Sequence, residues 1–185
     1  MRRKEKNFWK LHSQLDLPFL ETDNGFLAEI FQTLECKFGL ESNSGQKMID
    51  LGAGNGNVII YAALNYNIKS YGIEIDINLV NEAKLRIQSF KKSGTFKKRL
   101  LSKIKIKPGD FYLHNLKNYD FIFIYSLPTM HKYLNHIFAT AKEGAIIISH
   151  KYKFDIFSSF LKLKYELAHY KDKQLIFTFF YEKIL

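Results

Sequence analysis

The chain has 185 residues, 28 Lys plus Arg against 18 Asp plus Glu, one Cys and 46% hydrophobic residues, enough for one globular core that buries roughly 70% of the unfolded surface without disulfides or structural metal. Cys36 has no partner for a bridge or a thiolate zinc site, and the longest apolar runs, near 121–125 and 144–148, fall well short of the ~18 residues a bilayer span needs. The basic N-terminus is interrupted by Lys10, His12 and Asp16 where a signal peptide would be apolar, so a cytoplasmic chain is expected, and its formal charge of +10 speaks to an acidic partner at most.

No linker or internal repeat divides the chain, which reads as a single domain: a helical preface over 1–45 and a core over 46–185. In the preface, Phe26, Leu27, Ile30, Phe31 and Leu34 recur at helical spacing, with Asp23 or Asn24 able to cap the start and Gly39 to close the end, which predicts a helix over 24–38. From Lys47 strand and helix signals alternate: MIDLG, then helical NVIIYAALNY, strand SYGIEI, helical NLVNEAKLRIQSF, strands IKIK and YDFIFIYS, helical TMHKYLNHIFATA and strand GAIIIS. Such units with nearly continuous apolar strands imply a parallel sheet covered on both faces. KLKYELAHY and QLIFTFFYE, flanking KDK, predict an antiparallel hairpin at the sheet's edge.

Asp50-Leu-Gly-Ala-Gly-Asn-Gly56 follows a strand and precedes a helix, so its alternate glycines bring a ligand against the backbone at the carboxyl edge of the first strand. A dinucleotide fingerprint would need glycine at position 57, where Asn57 stands, and no Gly-Lys-Ser/Thr follows for a P-loop. Asp50 beside the loop repels phosphate and suits a cationic ligand. Glu74, at the end of the second strand, is placed to accept ribose hydroxyls. Asp110, after the third strand, is placed to accept an adenine amino proton, with Phe111 as an apolar contact to the ring.

DLGAGNG, GIEID, GDF and the YDFIFIY strand together resemble the class I S-adenosylmethionine-dependent methyltransferases over residues 47–185. The resemblance implies a Rossmann-like α/β fold: a mostly parallel seven-stranded sheet with helices on both faces and the final antiparallel hairpin. It implies S-adenosyl-L-methionine as cofactor, with Asp50, Gly52, Ala53, Gly54 and Gly56 around its methionine part, Glu74 and Ile75 at the ribose, and Asp110 and Phe111 at the adenine. Tyr125, at the end of the fourth strand, would border the cofactor and, with Ser126, position the acceptor.

Methyl transfer is an in-line displacement that asks mainly for alignment and exclusion of water. Ser126 is followed by Leu127, then Pro128, so the Pro-Pro-aromatic signature of nucleobase amino methyltransferases is absent. Pro18-Phe-Leu-Glu-Thr22 and the run IIISHKYKF are similar to segments of small archaeal protein lysine methyltransferases, with Glu21 where those carry a second proline and Asn57 where they carry arginine. That similarity implies lysine side chains of proteins as acceptors and Phe19, Thr22, Leu127 and Pro128 as substrate contacts. Tyr125, with Phe19 or Tyr152, could wall a pocket that lowers the lysine pKa by desolvation. His131 and His136 read as surface or satisfied helix residues, while His150, just past a strand end, is the nearest general-base candidate.

Residues 91–107 carry eight cations, Lys91, Lys92, Lys97, Lys98, Arg99, Lys103, Lys105 and Lys107, and no acid. They form either a solvated face or an electrostatic dock for nucleic acid or an acidic protein, and the dock gives the alternative of an RNA or DNA methyltransferase. A monomer is expected.

Overall fold

The structure, a computed structural model, describes residues 21–154, 159–171 and 173–184. Pro18 and Phe19 of the expected substrate segment lie outside the described residues. Helix α1, Asn24–Phe38, begins where the Asp23 carboxylate accepts the Gly25 N–H at 2.7 Å. It ends in a left-handed Gly39 (φ +67°), with Leu40 N–H returning to Leu34 O at 3.1 Å. Strand β1, Lys47–Leu51, runs into the glycine loop and then α2, Asn57–Tyr66. Strand β2, Lys69–Glu74, leads to α3, Ile77–Ser93, capped by Asp76 accepting Asn78 N–H at 2.8 Å.

The basic segment, residues 91–107, is spread over three elements and the turns between them. Lys91 and Lys92 close α3, and Lys98–Leu101 form a single helical turn, α4, before strand β3, Ile104–Pro108. Strand β4, Phe121–Ile124, and strand β5, Ile146–His150, are completely buried along their lengths. The hairpin is β6, Leu161–Lys171, and β7, Gln174–Lys183.

The seven strands form one sheet in the order β3-β2-β1-β4-β5-β7-β6, with β7 antiparallel to β5 and β6 antiparallel to β7. The expected mixed sheet is therefore present. Alternate residues of each central strand enter two different cores, as period-two pleating requires. Ile49, Ile122 and Ile147 face one side with Leu134 and Phe138, while Met48, Phe121 and Ile148 face the other with Leu27 and Phe31 of α1.

Two departures from the sequence-based expectation matter. The single helix expected over 129–141 is two separate turns, α5, Pro128–His131, and α6, Asn135–Phe138. The connecting amides bond back three residues, Tyr133 N–H to Met130 O, Leu134 N–H to His131 O and Ile137 N–H to Leu134 O, at 2.9 to 3.1 Å. This tighter winding still buries Met130, Leu134, Ile137 and Phe138, the residues whose spacing suggested a helix. The second departure is a bulge in β6. Leu163 pairs with Tyr181 and Tyr165 with Phe180, so Lys164 is inserted. Odd-numbered residues before it, Leu161 and Leu163, pack on the Leu134 side, whereas Tyr165 and Leu167 after it pack on the α1 side.

Gly72, in the middle of β2, permits a close approach that the sequence pattern does not announce. A Cβ there would lie 2.7 Å from Ala53 Cβ and 3.0 Å from Ile59 Cδ1, so the glycine loop can pack on the strand only above a bare backbone. Gly72→Ala is expected to destabilise the fold by about 1–3 kcal/mol through overpacking, measured as a lower urea midpoint, and to weaken cofactor binding because Ala53 must move.

Candidate active site

The loop after β1 is held to β2 by three of its main-chain N–H groups. Gly52 and Ala53 donate their N–H to Ile73 O at 2.9 and 3.0 Å, and Gly54 donates to Glu74 Oε2 at 2.8 Å. Gly52, Gly54 and Gly56 all have positive φ, +84°, +52° and +83°. At Gly56 a Cβ would also stand 3.1 Å from Ala83 Cβ, so α3 closes against the loop at the start of α2. Phe111 follows Asp110 in a 3-10 turn and its ring edge faces Gly52, 3.9 Å from where a Cβ would stand. Asp110 Oδ1 accepts Tyr112 N–H at 2.8 Å and so caps that turn.

Glu74 is buried, and its carboxylate accepts from Gly54, Ile75 and Asp76 main-chain N–H groups at 2.7 to 2.9 Å. A carboxylate has roughly four lone-pair directions, so most are already engaged in fixing the loop and the β2 turn. Asp50 is only 3% exposed and no hydrogen bond to its carboxylate is found among the described residues. Burial, and next the negative charge of Glu74, push its pKa well above the usual carboxylate range.

A narrow cleft joins Asp50, Gly52 and Ala53 to Thr22, Asn57, Phe123 and Tyr125. The preceding segment is stitched to it. Asn57 Nδ2 donates to Thr22 O at 2.8 Å and to Asn24 Oδ1 at 3.1 Å, and accepts at Oδ1 from Arg86 Nη2 at 3.2 Å. Asn55 Nδ2 donates to Glu21 Oε1 at 3.1 Å, and Arg86 Nη1 donates to Asn55 O at 3.2 Å. Glu21 and Asn57, the two departures from the lysine methyltransferase pattern, are thus partners in one network centred on Arg86.

Tyr125 is half-buried, its ring edge-on to His150 at 5.1 Å and 6.3 Å from Tyr152. Ser126 is buried and its Oγ has no hydrogen-bond partner among the described residues. Leu127 caps α5 and Pro128 opens it at the exposed rim. The structure therefore brings Thr22, Asp50, Gly52, Ala53 and Tyr125 into one cleft, while Gly54 bonds to Glu74 and the Phe111 ring edge faces Gly52. His136 Nε2–H donates to Tyr112 O at 2.8 Å, a satisfied position as expected. His131 is buried, contrary to a surface placement, because its ring packs edge-on to Phe154 at 4.7 Å. Sequence reading missed the roles of Asn55, which sits unremarked inside the glycine motif, of Arg86, which carries no motif, and of His169, treated below.

This strand order, with an antiparallel β7 between β5 and β6, acids at or just past the carboxyl ends of β1, β2 and β3 and a glycine loop entering α2, defines a class I S-adenosylmethionine-dependent methyltransferase. Residues 50–159, more than half of the chain, match the model of the ANTKMT methyltransferase domain, and the chain belongs to that family. It is 31% identical over 141 residues to the histone-lysine N-methyltransferase, H3 lysine-79 specific, of Emericella nidulans, covering 70% of this chain and 28% of the relative. The Aspergillus fumigatus protein of the same description is 29% identical over 134 residues, covering 68% and 26%. The chain thus matches only about a quarter of the length of these curated relatives.

Solved structures carry the same fold. An RNA methyltransferase from Salinibacter ruber in complex with S-adenosyl-L-homocysteine superposes with a TM-score of 0.69 at 19% identity, covering 89% of this chain and 94% of that one. A magnesium protoporphyrin IX methyltransferase from Synechocystis with bound S-adenosylmethionine gives 0.65 at 15%, covering 86% and 78%. Among the described residues no helix is long and apolar enough to cross a membrane.

The residues fit a sulfonium cofactor. An Asp50 carboxylate with no hydrogen-bond partner among the described residues, beside a second buried carboxylate, favours a cationic ligand over a phosphate. The sign of its pH dependence follows from the raised pKa. Folding favours protonated Asp50, so its ionisation destabilises the free protein as pH rises from the unfolded pKa to the folded one, whereas a cation bound beside it favours ionisation. Asp50→Asn is therefore expected to raise the Tm of the free protein by a few degrees. It should weaken S-adenosylmethionine binding about 10- to 100-fold in calorimetric titration. Wild-type affinity should increase with pH across the interval above the ordinary carboxylate range, and the asparagine variant should lose that dependence.

Proposed function

We propose that this methyltransferase acts on lysine side chains of proteins. The observation that carries the reading is the relationship to the ANTKMT family together with the two histone-lysine N-methyltransferases. The chemistry of the cleft supports it. Asp50 and the loop residues Gly52, Ala53, Gly54 and Gly56 would hold the methionine part of the cofactor, Glu74 and Ile75 the ribose, and Asp110 with Phe111 the adenine. When bound, S-adenosylmethionine supplies an electrophilic methyl group. The chain's task is to bring an amine nitrogen in line with it as a free lone pair.

Tyr125 and Tyr152 give the acceptor an aromatic wall, which disfavours an ammonium relative to an amine. Ser126 Oγ adds a polar contact for the acceptor, Thr22, Leu127 and Pro128 would form the rim, and Phe19 belongs to the same proposed substrate segment. Partners are then proteins that present a lysine.

A second reading, nucleic-acid methylation, is favoured by one observation. A cavity of about 520 Å³ is lined by Lys69, Arg99, Lys103 and Lys105 with Asn43, Tyr71 and Ser102, and by no carboxylate. Burial, then the charges of Arg99 and Lys69, lower the Lys103 pKa, the signature of crowded cations. This cavity lies at the amino ends of β2 and β3, however, a strand length of roughly 17 Å from the glycine loop.

Incubation with radiolabelled S-adenosylmethionine and cell extract separates the two. Label is expected in protease-sensitive, nuclease-resistant material, and label that survives protease but not nuclease overturns the lysine reading. In the nucleic-acid reading, RNA affinity falls steeply with salt and is lost in an Arg99→Glu, Lys103→Glu variant; in the lysine reading that variant still labels protein.

A further inference from the structure

Behind Tyr125 lies a continuous chain of buried polar groups to which neither the family nor the cofactor assigns a role. His150 Nδ1 stands 2.8 Å from Thr178 Oγ1, Thr178 Oγ1 stands 2.8 Å from His169 Nε2, and His169 Nδ1 stands 2.7 Å from Glu29 Oε2. His150, Thr178 and His169 are 3%, 0% and 0% exposed. Phe26 covers both imidazoles, at 5.7 Å from His150 and 4.7 Å from His169. Only Glu29, at the far end on α1, is half-exposed.

Donor and acceptor counting orients this chain. The Glu29 carboxylate only accepts, so His169 Nδ1 carries a proton. With both rings in the neutral form, His169 Nε2 is then a lone pair and takes the single Thr178 hydroxyl proton. Thr178 Oγ1 must in turn accept from His150 Nδ1–H. That leaves His150 Nε2 as a bare lone pair, and no hydrogen bond engages it among the described residues. The ring lies against Tyr125, at the carboxyl end of β5 beside the cleft.

We propose that the Glu29–His169–Thr178 chain holds His150 in one tautomer, so that His150 Nε2 accepts a hydrogen bond from the acceptor amine and orients the nitrogen lone pair for methylation. The inference rests on the lysine reading and extends it to a positioning group. An acceptor-only atom next to aromatic rings selects an N–H donor, which a lysine amine supplies. No proton needs to be stored on His150. Its pKa is lowered to about 3, first by burial and then by His169 and Lys151. The other groups facing it are Tyr125 from β4, Thr178 from β7, Phe26 from α1, and Tyr152 beyond its own strand. None of these is a carboxylate that would favour the imidazolium.

Nitrogen-15 spectra of histidine-labelled full-length protein test the proposal directly, because protonated and lone-pair ring nitrogens resonate far apart. His150 Nε2 is expected to be the lone-pair nitrogen at neutral pH and to shift on titration with lysinamide as the probe. Thr178→Val should give mixed tautomers and lower kcat for lysine methylation about tenfold, the loss of one hydrogen bond, with cofactor affinity unchanged. Thr178→Ser should restore both. A proton on Nε2 in the wild type, no response to lysinamide, or full kcat in Thr178→Val and His150→Phe overturns the proposal. Failure of the lysine reading looks different, since the wild type would then label no protein whatever the His150 tautomer.

Discussion

Two buried carboxylates at the ends of neighbouring parallel strands set the terms for the rest of the molecule. Asp50 stands one residue from the end of its strand, next to the glycine loop, and Glu74 ends the adjacent one with one oxygen on the loop's Gly54 amide and the other on the Ile75 and Asp76 amides of its own turn. Glu74 is made tolerable by three main-chain donors, a common way for a protein to hold a buried anion. Asp50 has no such donors among the described residues, and burial and the charge of Glu74 disfavour its ionised form. A site that keeps one buried anion satisfied and its neighbour unsatisfied is stable only to the extent that the surrounding sheet is, and it is relieved by a cation. The methyl donor's positive charge and the absence of any phosphate-type loop then follow from the same arrangement.

The segment before α1 becomes part of the site through amide side chains rather than through apolar packing. Asn57 spans Thr22, Asn24 and Arg86, and Asn55 reaches Glu21. An arginine at position 57 would bring a guanidinium to this spot from α2; here Arg86 brings one from α3, and the asparagine reads its geometry with one donor and one acceptor. Most of these bonds are partly exposed, so each contributes modestly. Their collective effect is to fix where the polypeptide, with Thr22, crosses the mouth of the cleft.

Local chemistry explains which parts of the fold were legible in the sequence. The bounds of α1 follow from Asp23 and Gly39, and those of α2 from Gly56 and the end of the apolar pattern at Tyr66, because caps are written within a few residues of the helix they end. The strand order is not local, yet the acids at three successive strand ends imply it once they must share one ligand. Gly72 was unreadable for the opposite reason: its need arises from Ala53, nineteen positions away and on another element. The turns of α5 and α6 keep helical spacing of buried residues while changing their hydrogen bonds, so hydrophobic periodicity alone could not tell them from one helix.

The β6 bulge is the clearest case of structure adding what sequence conceals. Leu161, Leu163, Tyr165, Leu167 and His169 alternate without interruption, and an unbroken strand would put all five on one face. That face would be the one with Leu134 and Phe138, remote from α1. Inserting Lys164 reverses the alternation, so His169 turns towards Glu29 and Thr178 instead. A histidine that would have been a stray polar group in an apolar core becomes hydrogen-bonded at both nitrogens. Burying two imidazoles is otherwise unfavourable, and a purely structural contact between α1 and the hairpin could be made by apolar residues of similar volume at no such penalty. The buried polar chain that the bulge creates thus runs from Glu29 on α1 to an imidazole beside Tyr125, a course that stability of the α1–hairpin contact does not require.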